Sequence, residues 1–258
     1  MTRIPTPAAG LAGTASATAA ATTARADHSD PFDSGMWDFH RAEHLGDPTD
    51  WRFDPDVRLI SPGEADDARH LPLMLDATRV EGVERIVVTA DYSPFPWVMT
   101  FTPGRAVARL GFGMKIDQGT AVRVSALGTD GTWRIGGAFI RAAGGGCGVP
   151  AKAHERPDWQ STLGQTRARL WPDGRLRLRI THPMDTGLAD GAPQFFLTEI
   201  AVADLDGAPF ADLEIGVPLE EDPSLALDLP PEMARAGVRV TARDNMGLVI
   251  DHLVPGAA

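Results

Sequence analysis

From about Val57 onward, apolar and polar residues alternate in short runs broken by Gly, Pro and Asp. Ile86, Val88 and Ala90 alternate with Arg85 and Thr89, and Ala108, Leu110 and Phe112 with Arg109 and Gly111. Val122, Val124 and Ala126 alternate with Arg123 and Ser125, and Trp133 to Ala142 follows the turn Thr129-Asp130-Gly131. A period of two with this punctuation predicts antiparallel strands with one face buried and the other solvated. After a break, Leu176, Leu178 and Ile180 alternate with Arg175, Arg177 and Arg179. That arginine face is expected to be solvated, a dedicated anion site there being the second choice. Gln194 to Ala203 and Gly207 to Val217 flank the turn Leu205-Asp206-Gly207. Val238, Val240 and Ala242 precede the turn Asp244-Asn245-Met246-Gly247 and a last strand near Leu248 to Val254. No long helical period interrupts these runs. The pattern predicts an all-β protein of two immunoglobulin-like antiparallel β-sandwiches in tandem. Boundaries fall at 36–148 for the first sandwich, 149–164 for a linker with Pro150 and Pro157, and 165–258 for the second.

Ahead of the strands the sequence changes character. Residues 1–35 read as a degenerate export signal or a disordered tail. Ala24-Arg25-Ala26 has the form of a signal-peptidase site, but the stretch before it is too polar for a good hydrophobic region. A short helix is expected around Met36 to Glu43, packed by its aromatic residues. It would put His40 and His44 on one face, four residues apart. Only carboxylates stand nearby to complete a metal site, so a solvated face is preferred and no metal is assigned.

Charge and cysteine usage narrow the function. A net charge of −11 disfavours nucleic acid and anionic membrane surfaces as partners. No apolar run approaches the roughly 20 residues of a membrane-spanning helix. The single cysteine, Cys147, excludes an intrachain disulfide and a zinc site built on several thiolates. It stands in Gly144-Gly145-Gly146-Cys147-Gly148. Glycine imposes little on φ and ψ, so this run predicts a flexible arm presenting an exposed thiol. A Gly-rich surface loop with an incidental cysteine is the plain alternative. Arg141, Lys152 and His154 are the nearest basic residues in sequence and are expected to be solvated.

The first sandwich, ending in Gly-Gly-Gly-Cys-Gly, resembles SoxY, the sulfur-compound carrier of the bacterial Sox system, whose chain ends in a Gly-Gly-Cys-Gly-Gly arm. Asp91-Tyr92-Ser93-Pro94-Phe95-Pro96 stands where that family has a proline-containing turn. The second sandwich resembles SoxZ through His182-Pro183-Met184-Asp185-Thr186-Gly187 and through the Asp244 to Gly247 turn. The order of the two resembles the fused SoxYZ-like carriers found with quinoprotein dehydrogenases. The resemblance implies a periplasmic, non-enzymatic carrier without a cofactor. It implies covalent attachment of a thiosulfate-type or sulfide-type compound to Cys147. The implied partners are Sox-type enzymes or a quinoprotein dehydrogenase system. It differs in one respect: Val149-Pro150 follow the arm, tethering it at both ends. If the arm enters a partner's tunnel, Gly145→Val or Gly146→Val is expected to impair loading with little effect on folding.

Three other functions are compatible with a lone cysteine in a β-rich chain. A cysteine hydrolase or transferase needs a base held against the sulfur, for which His154 is the nearest candidate. A cupredoxin-like electron carrier needs two histidines and usually a methionine around the cysteine. An adhesion-type binding module needs no cysteine at all. His182 and Met184 are expected in a turn, the imidazole hydrogen-bonded and the methionine packed between the sandwiches.

Overall fold

The computed structural model describes Met1 and residues 29–257. The expected tail therefore lies outside the described residues except for 29–35. One α-helix, α1 (Trp37–Leu45), precedes the strands. It ends at Gly46, whose φ of 78° is the left-handed closure that glycine takes most easily. The strands are β1 (Trp51–Phe53), β2 (Arg58–Ile60), β3 (Glu64–Ala65), β4 (Leu71–Asp76), β5 (Val83–Ala90), β6 (Trp97–Thr102), β7 (Arg109–Met114), β8 (Thr120–Gly128) and β9 (Trp133–Ala142). After two single-turn 3-10 helices come β10 (Thr166–Leu170), β11 (Arg175–Ile180), β12 (Leu197–Ala203), β13 (Pro209–Ile215), β14 (Ser224–Asp228), β15 (Val238–Asp244) and β16 (Val249–Val254).

The protein is all-β, and its two halves lie edge to edge with both sheets running through the junction. The larger sheet has 10 strands in the order β1-β9-β8-β5-β6-β13-β12-β15-β16, with β3 alongside β9. The smaller has six, in the order β10-β11-β14-β7-β4-β2. The halves are sewn together twice. β6 pairs antiparallel with β13, and β7 with β14. One apolar core, from Val57 to Val254, fills the space between the sheets across the seam. Strands from different halves thus cover what would otherwise be open sheet edges.

Alternation is clean where only one face is covered. Leu176, Leu178 and Ile180 of β11 are buried and the arginines between them exposed. In β8 the alternation fails, because seven consecutive residues from Thr120 to Ala126 are buried. The outer face of β8 is roofed by α1 and residues 29–36. Trp37, Leu45, Val87, Trp133 and Ile135 form a second apolar cluster there, with Trp51 and Phe53 packed against it. Under this roof Arg123, expected on a solvated face, is wholly buried. It donates to both oxygens of Asp91 at 2.7 Å and to both of Asp30 at 2.7 and 2.8 Å. Its guanidinium also lies over the rings of Phe32 and Trp37. Residues 29–35 are therefore fixed to the sheet, reinforced by Tyr92 donating to the Ser34 carbonyl at 2.9 Å.

His40 is buried with Nε2 3.0 Å from Asp91 Oδ1, a place inside the roof and not on the expected solvated face. Among the described residues no group of three or more His, Cys, Asp or Glu side chains is placed to hold a metal ion.

Candidate functional site

Cys147 lies in the loop that leaves β9. The sequence predicts an exposed thiol on a flexible arm; the structure shows the opposite, a wholly buried Cys147 at the junction of the halves. The physical reason is a second use of glycine, close backbone approach. Gly144 and Gly145 have φ of 105° and 92°, in the left-handed region. Gly145 N–H donates to the Asp117 carbonyl and Gly146 N–H to the Ile116 carbonyl, each at 3.0 Å. A Cβ on Gly146 would run into the carbonyl oxygens of Ala68 and Ile116. Gly146→Val is therefore a folding lesion, not the harmless change expected from the sequence. Gly145, held by its N–H but with open space where a side chain would stand, and Gly148, exposed and equally uncrowded, flank the buried pair Gly146-Cys147.

The other wall of the site comes from the second half. Thr186 Oγ1 donates to the Cys147 carbonyl at 2.5 Å. Asp185, next to it, accepts through Oδ2 from His154 Nε2–H at 2.7 Å. Met184 has φ of 52°, unusual for a residue with a side chain, and this turns its carbonyl onto the buried Lys115 ammonium. The turn is anchored beneath by His182, whose Nδ1 accepts from Met184 N–H at 3.1 Å. Nε2 then carries the proton and faces Asp244 Oδ2 at 3.5 Å. Burial, only partly offset by Asp244, pushes His182 down to about 4, so it is neutral near pH 7. The exit from the loop is held too. Glu221 accepts from Lys152 N–H at 2.9 Å and Ala153 N–H at 2.7 Å.

Burial pushes the Cys147 thiol up to about 11, Asp117 adds to the rise, and Lys115 opposes it. The resting sulfur is thus a protonated, unreactive thiol. Lys115 is itself pulled down by burial, against which Asp185, Cys147 and Glu221 act. Lys115 and the sulfur thus lie near enough for each to act on the other's ionisation. His154 is committed to Asp185 and is not among the groups that shift the thiol, so the base suggested by nearness in sequence is engaged elsewhere. The sequence missed Lys115, Asp185, Thr186 and Glu221. They are brought to Cys147 from 32 to 74 residues away, beyond the reach of local patterning; the one usable signal was the His182 to Gly187 motif.

The Thr186 hydroxyl gives a direct test of how the loop is held. Removing it in Thr186→Val should ease opening by about 1 kcal/mol, the worth of one hydrogen bond. Alkylation of Cys147 by iodoacetamide is then expected to run about fivefold faster, with the same melting temperature to within a few degrees. An unchanged rate shows that the loop opens elsewhere.

Residues 41–147 match the family model of "Sulfur oxidation protein SoxY", and the match ends on Cys147 itself. No curated protein matches the chain. Among solved structures, the sulfur carrier protein SoxY from Chlorobium limicola f thiosulfatophilum aligns with 43% of this chain and 97% of its own, at 13% identity and a TM-score of 0.37. The matched stretch is similar to the SoxY family and closes on Cys147, the single cysteine of the sequence.

Proposed function

We propose that this protein carries sulfur compounds covalently on Cys147 and shelters the thiol between its halves until a partner opens the loop. The observation that supports the reading is the coincidence of the family match's last residue with the single cysteine. The second half is read as a SoxZ-like partner fused to the carrier domain. Its His182 to Gly187 turn supplies Thr186 and the Met184 carbonyl to the sulfur's surroundings.

In the loading step the Cys147 thiol gives up its proton and its sulfur bonds to the sulfur of a thiosulfate-type or sulfide-type anion. The two electrons released by forming the S–S bond pass to an oxidising partner enzyme, and the proton goes to solvent. This chain contributes the sulfur, the shelter and a buried lysine cation; the oxidant and later hydrolysis belong to Sox-type enzymes or a quinoprotein dehydrogenase system. The compartment proposed is the periplasm.

Intact mass spectrometry of the protein isolated from cells supplied with thiosulfate, with and without reductant, tests the reading. A sulfur-containing adduct that reductant removes, mapping to Cys147 and absent from Cys147→Ser, is expected. A bare thiol under those conditions overturns it.

A further inference from the structure

The outer face of the smaller sheet carries an open groove of about 840 Å³ that crosses the seam between the halves. Strand register lines up one row of residues across all six strands. Arg169 stands opposite Arg177, Arg177 opposite Ala226, Ala226 opposite Gly111, Gly111 opposite Met74, and Met74 opposite Ile60. The middle of the row has almost no side chain, so it forms the floor of a trough. Arginines wall one end, where Arg167 and Arg179 form a second opposed pair. The other end is apolar, with Met74 38% and Ile60 51% exposed.

The cationic end is not explained by the fold. Like charges directly opposite on paired strands are destabilising. Arg167 and Arg177 have no carboxylate partner among the described residues, while Arg179 reaches only Asp222, at 3.1 Å. Edge protection accounts for charge on β10, the outermost strand, and Arg175 of β11 has Asp173 and the Trp171 ring, but neither accounts for Arg177, on a strand paired on both sides. Arg169 lies over the Trp171 ring, so the like-charge pairing is only partly compensated inside the fold, which points to a use outside it. In a chain of net charge −11 the concentration of cations is the more telling.

We propose that this groove docks an extended segment of a partner protein, with acidic residues against the arginines and apolar residues against Met74 and Ile60. Five inter-strand steps of about 4.8 Å make the row about 24 Å long, the span of about seven extended residues. The chain's own residues 2–28 do not suit it, carrying Asp27 against Arg3 and Arg25. Arg179 is shared with an adjoining depression of about 440 Å³ that is also lined by Lys152, Ala153 and Glu221, the segment leaving Cys147 and the carboxylate that holds it. A partner seated in the groove therefore sits beside the exit of the thiol loop. The docking surface itself does not depend on what Cys147 carries.

The probe is a fluorescein-labelled peptide of three glutamates, a Gly-Ser spacer and three leucines, titrated with the full chain and followed by anisotropy. Saturable binding is expected. It should weaken at least tenfold in Arg169→Glu/Arg177→Glu and in Met74→Glu, and be unaffected by Arg239→Glu on the other sheet. Ala226→Gln, which fills the trough without touching charge, should also weaken it, and circular dichroism of each variant checks the fold. Absence of binding overturns the proposal, as does equal binding of a peptide with lysines in place of glutamates, or loss only in the charge variants. Self-association abolished by the same substitutions would assign the groove to a second copy and likewise overturn it.

Discussion

Alkylation of Cys147 by iodoacetamide should climb about tenfold per pH unit from about pH 7 to about pH 10.5, without the plateau near pH 9 that an ordinary thiol shows. At pH 8 the folded protein should react at least about 100-fold more slowly than the same chain in denaturant. The factor follows from ionisation. Burial and Asp117 hold the thiol at about 11 against an ordinary 9.0. Two units are a hundredfold in thiolate, and restricted access lowers the rate further. The sign for stability is fixed by the same shift. The folded pKa is raised, so the unfolded or opened chain loses its proton first as pH rises. The closed loop is fully favoured below about pH 9 and loses ground between about 9 and about 11. Cys147→Ser should lack that alkaline loss. Levelling of the rate near pH 9, at a value within a few-fold of the denatured control, would show that the thiol is already exposed.

This behaviour suits a carrier better than it suits a catalyst. A catalytic thiol is ionised at rest or held against a base, whereas the sulfur of the proposed carrier needs to be reactive only in its partner's hands. Lys115 becomes useful at that moment. Its amine is held by the Met184 carbonyl within the site, where the proposed cargo, an anionic sulfur compound, would meet a counter-charge. The reading also explains why the Gly-rich loop need not be long. It has only to detach at Thr186 and at the bonds of Gly145 and Gly146 to the 116–117 carbonyls.

The strand pattern was legible because it is local. β9 spans Trp133–Ala142 as the alternation and the Asp130-Gly131 turn predict, and β11, β15 and β16 follow the same logic. The seam was not legible. Nothing in the Trp97–Thr102 run announces that its edge pairs with β13, over 100 residues later. The glycines around Cys147 were misread for a related reason. A residue without a side chain serves mobility and tight packing equally well, and only the approach of Ala68 and Ile116 to Gly146 decides between them. Arg123 looked solvated because alternation reports one covered face, whereas a roof of residues from before β1 covers the second. The crowding of Trp37, Trp51 and Phe53 ahead of the strands was the available signal, since so much aromatic surface must lie on something.

Arg123→Met should destabilise the protein by about 3–5 kcal/mol, lowering the melting temperature by about 10 °C. Methionine nearly fills the space, so the cost is electrostatic. The substitution leaves Asp91, wholly buried, and Asp30 without the cation that both of them grip. Burial alone works to raise Asp91, but contacts from His40, Arg123 and Ser34, together with the arginine charge, bring it down to about 2. In the wild type that lowered value is stabilising above about pH 4 and is lost as pH falls from 3.8 through about 2. Without the arginine, burial is opposed only by His40 and Ser34, and the folded carboxyl is expected to rise above its unfolded value. The variant should therefore gain stability as pH drops from about 7 to about 5, where the wild type is insensitive on this account. Urea melts at the two pH values separate this from a packing defect, which would be equal at both. Arg123→Met/Asp91→Asn/Asp30→Asn should recover part of the loss by removing the stranded charges. If the triple variant is no more stable than the single one, the cation's role is to stack on Phe32 and Trp37, and the roof is held by packing alone.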